Sequence, residues 1–208
     1  MKKRGDIIII SGPSGVGKST LVAKLRAANP DLEFSISCTT RAPRPGEVSG
    51  REYYFISEEE FAAHRAAGDF IESAGVFSHS YGTLKSEVLE RVRQGRRVVL
   101  DIDLQGAKQI RAAAALDREL ADSAIFIMLA PPSLAELERR LRGRHSDSEE
   151  QISQRLAAAR KELAGFRTYD YVVVNDDLET AAHQLAAILT AARTRSSIIV
   201  GDPFEEEK

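Results

Sequence analysis

Apolar residues along the chain form two kinds of pattern. Short uninterrupted runs rich in Ile and Val occupy residues 6–11, 97–101, 124–129 and 171–174. A short run without polar interruption is typical of a strand buried on both faces of a parallel sheet. The longer segments between them place apolar residues three and four positions apart, which predicts helices. Strands that alternate with helices predict an α/β fold with a doubly wound parallel sheet.

The predicted helices start at recognisable signals. They cover about residues 18–28, 104–115, 134–142, 149–163 and 178–192, after the strands of the sheet. A serine three residues before a glutamate predicts a capping box, in which the two residues satisfy each other's main-chain amides. Pairs of this kind precede three predicted helices: Ser57 with Glu60, Ser133 with Glu136, and Ser146 with Glu149.

The segment from about residue 34 to residue 93 has a different pattern. Short extended pieces are predicted at 34–37, 53–56 and 70–73, separated by turns, and a helix is predicted at 84–92. Prolines and glycines crowd the stretch after Arg41. This pattern favours a small α+β insertion on the parallel core.

Composition narrows the class of protein. The 208 residues carry a formal net charge of -2, which argues against a nucleic-acid or membrane-surface binder. No apolar run approaches the ~18 residues of a membrane span, and the run at 7–10 is too short for a signal peptide. The single cysteine, Cys38, excludes an internal disulfide. A cytoplasmic setting is therefore expected. The chain has 21 Arg and 8 Lys, and a bias in the base composition of the genome is expected to explain most of this excess of arginine.

A phosphate-binding loop follows the first strand. It fits the pattern G-x-x-x-x-G-K-[ST] and comprises Gly12, Pro13, Ser14, Gly15, Val16, Gly17, Lys18 and Ser19, followed by Thr20. Glycines let main-chain amides point at phosphate oxygens at the positive end of a helix. Lys18 can reach the β- and γ-phosphates, and the Ser19 hydroxyl can ligate Mg²⁺. The alternative is a glycine turn that only caps a helix, but both the spacing and the strand-to-helix context favour the phosphate loop.

Two acidic residues follow the strand at 97–101. Asp101 ends that strand, and side chains at this edge of such a sheet face the ligand crevice. Asp101 is therefore the candidate that organises Mg²⁺, directly or through its waters. Asp103 either points the same way or caps the helix that starts at residue 104. The sequence leaves these two possibilities open.

Motifs along nearly the whole chain resemble the guanylate kinase family. The matching segments, in order, are 10–20, 37–47, 50–53, 70–72, 81–83, 100–106, 130–133, 141–144 and 175–178. The segment Thr-Thr-Arg-Ala-Pro-Arg at 39–44 is more specific than the phosphate loop. The resemblance implies Mg²⁺-dependent transfer of a phosphoryl group from ATP to GMP, with ATP bound at residues 12–20 and Asn175.

The resemblance also implies a GMP site in the insertion. Its residues would be Ser37, Arg41, Arg44, Tyr53, Glu72, Tyr81, Thr83 and Asp103. Arg41, Arg44 and the two tyrosines would hold the phosphate, and Glu72 would accept two hydrogen bonds from guanine, which adenine cannot donate. Judged without the resemblance, the residues favour a solvated basic turn at Arg41 and Arg44.

A third implied group stabilises the transferring phosphoryl group. Lys18 and the arginines Arg140, Arg144 and Arg155 would be the catalytic residues, the arginines being carried on a lid. The implied division is a P-loop core at 1–36, 94–137 and 158–200, a GMP-binding insertion at 37–93, a lid at 138–157 and an acidic tail at 201–208. His145 stands where the family pattern has glycine.

Two other functions stay open at this point. One is a guanylate-kinase-like binding module without catalysis, which should have a damaged phosphate loop or lack the lid arginines. The other is a P-loop kinase acting on a sugar phosphate, which would lack the guanine-reading set. No nucleic-acid or membrane partner is expected, and either a monomer or a homodimer is compatible with the sequence.

Overall fold

The computed structural model describes residues 2–76, 78–143 and 147–202. Its strands are β1 (Lys2–Lys3), β2 (Ile7–Ser11), β3 (Leu32–Phe34), β4 (Cys38–Thr39), β5 (Tyr54–Phe55), β6 (Phe70–Val76), β7 (His79–Leu84), β8 (Arg97–Asp101), β9 (Ala124–Ala130), β10 (Tyr171–Val174) and β11 (Ile199–Val200). Its α-helices are α1 (Lys18–Ala28), α2 (Glu58–Ala67), α3 (Lys85–Arg93), α4 (Leu104–Ala114), α5 (Arg118–Ser123), α6 (Leu134–Arg142), α7 (Glu149–Ala164) and α8 (Leu178–Ala192).

A parallel sheet of five strands, in the order β10-β9-β2-β8-β3, forms the centre. Strand β2 lies in the middle, and its side chains alternate between two apolar clusters. Ile8 and Ile10 pack towards α1 and α8. Ile7 and Ile9 pack towards α3, α4 and α5. Because helices cover both faces, β2 has no polar face, and the predicted doubly wound α/β fold is confirmed.

A second sheet lies within residues 38–84. Its order is β5-β4-β7-β6, with β4 and β5 parallel and the other neighbours antiparallel. Helix α2 packs on β6, where the rings of Phe61 and Phe70 lie 4.5 Å apart. The sheet docks on α4 through two hydrogen bonds between the Gln109 amide and the main chain of Ser73, at 3.0 and 2.9 Å.

Helix starts show where the sequence patterns were reliable. The capping box of Ser57 and Glu60 is confirmed at α2. Ser133 caps α6, but its box is incomplete because two arginines hold the Glu136 carboxylate. Ser146, the cap predicted for the next helix, lies outside the described residues; α7 begins after Ser148, which forms a capping box with Gln151. The extended piece predicted at 34–37 is instead β3, at Leu32–Phe34.

No helix in the described ranges is long and apolar enough to cross a membrane.

Candidate active site

The phosphate loop runs from the end of β2 into α1. Gly15 and Gly17 have φ angles of +91° and +92°, a left-handed conformation that side chains strongly disfavour. A Cβ on Gly12 would lie 2.4 Å from the Leu129 carbonyl oxygen, so this position also requires glycine. The loop borders a cavity of about 360 Å³, which Asp103 and Glu162 also line.

Lys18 connects this cavity to a second one. Its Nζ lies 2.7 Å from Asp101 Oδ1 and donates to the Ile102 carbonyl oxygen at 2.8 Å. Asp101 and Ile102 line the second cavity, of about 200 Å³, together with Ser37, Tyr53 and Thr83 among others. The ammonium group therefore lies at the strand end that separates the two cavities. Ser19 and Thr20 are exposed at the start of α1.

Asn175 supports the loop from below. Its side chain is 5% exposed, and its Nδ2 donates to the Val16 carbonyl oxygen at 2.7 Å. A Cβ on Gly17 would lie 2.4 Å from this same nitrogen. The Asn175 amide therefore fixes the loop conformation. A contact between Asn175 and the adenine of ATP stays a prediction.

A chain of polar side chains leads from the second cavity, which Ser37 and Thr83 line, to a buried carboxylate. The Ser37 and Thr83 hydroxyls lie 3.0 Å apart, and Thr83 donates to Glu72 Oε1 at 2.7 Å. Glu72 is 7% exposed, and burial raises the pKa of its carboxyl group. Glu72 Oε2 lies 3.1 Å from where a Cβ on Gly106 would stand, so glycine leaves room for the carboxylate.

Asp103 caps a helix, which is one of the two roles that the sequence left open. Its Oδ1 accepts a hydrogen bond from the Gly106 amide at 2.8 Å, which caps α4. The residue also lines the phosphate-loop cavity, and its charge contributes to the raised pKa values of Glu72 and Glu162. Capping and proximity to the site therefore occur together.

The basic turn after β4 brings most of its predicted residues together. The Arg41 guanidinium lies 5.5 Å from the Tyr53 ring centre, and its pKa is raised chiefly by the hydrogen bonds to Glu47 and also by the nearby Tyr81. The Tyr53 and Tyr81 rings meet edge to face, with centres 5.9 Å apart. Arg44 is exposed, and its main-chain amide donates to Glu47 at 2.7 Å.

Two of the predicted lid arginines lie at or next to the phosphate loop. Arg140 donates from Nη1 to the Asn175 carbonyl oxygen at 2.9 Å. Arg155 donates from Nη1 to the Ser14 hydroxyl at 2.6 Å. Arg144 and His145 lie outside the described residues. Helix α7 thus directs Arg155 at the phosphate loop, and α6 directs Arg140 at the residue that supports the loop.

Carboxylates that the sequence analysis missed hold these arginines. Glu47 pairs with Arg41, Glu136 with Arg140, and Asp147 with Arg155 at 3.3 Å. The spacing of Glu136 and Arg140, four residues apart on one helix, was a usable signal. The others are separated by loops, so no periodic pattern could reveal them.

Glu162 is a further residue of the phosphate-loop cavity that sequence reasoning missed. It is half-buried near the end of α7. Burial is the main cause that raises the pKa of its carboxyl group, the Asp103 charge adds to this, and Lys18 opposes it. Its sequence context is an ordinary helical one and carried no signal.

Comparison with known proteins identifies the family of this chain. A family model described as guanylate kinase matches residues 4–192. The chain belongs to the guanylate kinase family. It is 48% identical over 195 residues to a guanylate kinase of Cereibacter sphaeroides, covering 94% of this chain and 90% of that protein. It is 50% identical over 187 residues to a guanylate kinase of Thermosynechococcus vestitus, covering 90% and 93%.

A solved structure extends the likeness to three dimensions. The crystal structure of guanylate kinase from Anaplasma phagocytophilum matches with a TM-score of 0.70 and 34% identity, covering 95% of this chain and 90% of that one. Membership of the guanylate kinase family supports the interpretation of this chain as a phosphotransferase. It does not support the binding-module or the sugar-phosphate alternatives.

Proposed function

We propose that this member of the guanylate kinase family transfers the γ-phosphoryl group of ATP to GMP, giving ADP and GDP. The observation that carries the proposal is the position of Lys18, whose Nζ lies 2.7 Å from Asp101 between the two cavities. During phosphoryl transfer, negative charge develops on the group that moves between the donor and acceptor sites, and a cation at this position stabilises that charge.

The donor site is assigned to the phosphate loop. Its main-chain amides and the positive end of α1 favour polyphosphate oxygens. Ser19 and Asp101 offer a hydroxyl and a carboxylate oxygen, a donor set that suits Mg²⁺, and they would hold the ion directly or through water. When bound, Mg²⁺ neutralises charge on the β- and γ-phosphate oxygens.

The acceptor site is assigned to the second sheet. Glu72 would accept hydrogen bonds from N1 and N2 of guanine, with Ser37, Thr83 and Asp103 completing the contacts. Adenine has an acceptor at N1 that the carboxylate repels, and an unpaired buried polar group can reject the wrong ligand by roughly 10⁴-fold. Arg41, Arg44, Tyr53 and Tyr81 would hold the phosphate of GMP.

Transfer needs no general base, because the attacking phosphate oxygen is already anionic. Arg140, Arg144 and Arg155 would neutralise charge on the transferring group, and Asn175 would keep the loop in place. We assign residues 138–157 to a lid, 37–93 to the GMP-binding insertion and the remaining residues up to 200 to the core. ATP and GMP are cytoplasmic metabolites, so we propose a cytoplasmic location.

A coupled ADP-release assay with GMP, AMP and IMP tests the proposal. We expect turnover with GMP in the presence of Mg²⁺ and little with AMP. Comparable turnover with AMP, or none with GMP, would disprove the assignment.

A further inference from the structure

Glu47 contacts the basic turn at three points. Its Oε2 accepts from Arg41 Nη1 at 2.9 Å, and its Oε1 accepts from Arg41 Nη2 at 3.0 Å. Oε2 also accepts from the main-chain amide of Arg44 at 2.7 Å. The carboxylate thus joins the two arginines of the proposed phosphate site, although it was no part of the expected ligand set.

The remaining donors of Arg41 show what this pairing leaves available. A guanidinium has five N–H groups in a rigid plane. Two bind the Glu47 oxygens, and a second N–H of Nη1 donates to the Ala42 carbonyl oxygen at 2.8 Å. Within the part of the chain that the structure describes, the N–H of Nε and one N–H of Nη2 donate no hydrogen bond. These two lie on the same edge of the group, which is the side-on fork that binds phosphate with two hydrogen bonds.

The surroundings restrict Arg41 further. Its side chain is 13% exposed and that of Glu47 is 18% exposed. The rings of Tyr53 and Phe55 lie 5.5 and 5.6 Å from the guanidinium carbon. A long flexible side chain is therefore held before any ligand arrives, which reduces the ordering cost of binding.

We propose that Glu47 is a positioning residue, which holds Arg41 through one edge of its guanidinium so that the free edge is presented to the phosphate of GMP. This rests on the proposed function, because it assumes that the turn binds the acceptor phosphate. By accepting the Arg44 amide, the same carboxylate fixes the turn that carries the second arginine.

A competing possibility predicts the opposite sign. If Glu47 occupied the phosphate position itself, GMP would have to displace it, and removing its charge would tighten GMP binding. The free fork on Arg41 argues against this, because phosphate and carboxylate can be bound on different edges at once.

The test is Glu47→Gln, which keeps the size of the side chain but places an amide nitrogen against the arginine donors. We expect the KM for GMP to rise about tenfold with kcat changed less than about twofold, the pattern of lost ground-state and transition-state binding alike. The KM for ATP should not change. The matched control is Glu119→Gln, because Glu119 pairs with Arg93 through both oxygens away from either cavity.

Calorimetry separates the role of Glu47 from a general loss of structure. Glu47→Gln should weaken binding of GMP but leave binding of guanosine, which lacks the phosphate, at the wild-type value. An unchanged or lower dissociation constant for GMP overturns the proposal, and so does an equal loss for guanosine. If wild-type protein binds GMP but does not phosphorylate it, the proposed function fails while the effect of Glu47 on phosphate binding is still measured.

Discussion

The two proposed phosphate sites of this protein are built in different ways. The phosphate loop would bind through main-chain amides, and buried residues such as Val16 and Asn175 shape it. The proposed acceptor turn, residues 41–47, would bind through arginine side chains near the surface, one of which pairs with the Glu47 carboxylate. A main-chain site is determined by glycine conformation and packing, whereas a side-chain site is determined by the partners of its charges.

This difference explains why the two sites tolerate different changes. The loop offers few side chains to remove, and Lys18 is the one that reaches between the cavities. In the acceptor turn, the proposed contacts are made by side chains, and Arg41 has a carboxylate partner of its own. We therefore expect single substitutions to separate binding from chemistry more clearly in the turn than in the loop.

The largest effect is expected from Lys18→Ala. Removing the ammonium group from between the two sites should lower kcat by about 10³-fold, a typical loss when a group that stabilises transition-state charge is deleted. GMP binding should persist, because the acceptor site lies on other elements. Steady-state kinetics and GMP calorimetry measure the two quantities.

Lys24→Ala is the matched control for that prediction. Lys24 lies on the same helix and pairs with Glu179, away from the cavities. It should leave kcat near the wild-type value. A loss of GMP affinity in Lys18→Ala as large as the loss in kcat would contradict the separation between the loop and the acceptor site.

The next largest effect is expected from Glu72→Gln. The neutral amide offers one acceptor where the carboxylate offers two, so kcat/KM for GMP should fall by about 10²-fold. The KM for ATP should stay unchanged. Kinetics with GMP and AMP as alternative acceptors measure the change in discrimination.

The pH dependence of GMP affinity provides a second test of the role of Glu72. Burial raises the pKa of Glu72, so its carboxylate takes up a proton at a higher pH than an exposed glutamate does. Wild-type affinity for GMP should therefore fall as the pH is lowered towards that raised value. The Glu72→Gln variant lacks this titrating group, so the pH dependence of its GMP affinity comes from the phosphate of GMP without that carboxylate. Parallel pH profiles for the two proteins would remove Glu72 from the guanine site.

The sequence predicted the main-chain parts of the molecule well, for physical reasons. The run Ile7–Ile10 has no polar face because helices cover both sides of β2. The phosphate loop is local, so its glycines reveal it. The family resemblance supplied Arg41, Tyr53, Glu72 and Tyr81, whereas the residues alone favoured a solvated basic turn at Arg41 and Arg44.

Contacts between distant segments could not be predicted in this way. Glu162 reaches the phosphate loop from α7, and Asp6 binds Arg97 in a buried pair at 2.9 Å across 91 residues. Strand β7 was missed because its six residues, His79–Leu84, include polar ones and a glycine on a partly exposed sheet. Such features depend on tertiary packing, which overrides local pattern.

A smaller effect is expected from Glu136→Gln. Glu136 holds Arg140, which in turn donates to the Asn175 carbonyl oxygen. Hydrogen bonds from Arg139 and Arg140 lower the pKa of Glu136 to about 2, so the carboxylate stays ionised over any usual assay range. Loosening Arg140 should lower kcat by about threefold to tenfold while GMP affinity is kept, because the arginine is proposed to act on the transferring group.

Glu138→Gln provides the control on the same helix. Glu138 pairs with Arg142 four residues later, on the exposed side of α6. Steady-state kinetics should show no change in kcat for this variant. Equal losses in both variants would mean that the helix, and not Arg140, responds to the lost charge.

The smallest effect on turnover is expected from Asn175→Ala. This variant tests whether the phosphate loop needs a supporting side chain in addition to its glycines. The substitution leaves the Val16 carbonyl oxygen buried without its partner, which should cost about 1–3 kcal/mol of unfolding free energy. The KM for ATP should rise by about threefold, because the loop amides lose their fixed orientation. The KM for GMP should stay constant. Chemical denaturation and steady-state kinetics measure these changes.

Asn29→Ala is the matched control, because the Asn29 amide also donates to a main-chain carbonyl, that of Leu25 at 2.8 Å, at the far end of α1. It should lower stability without changing the KM for ATP. If Asn175→Ala behaves in the same way, glycine conformation alone shapes the loop. If only Asn175→Ala raises the KM for ATP, the loop resembles the acceptor turn in needing a side chain that holds its binding groups in place.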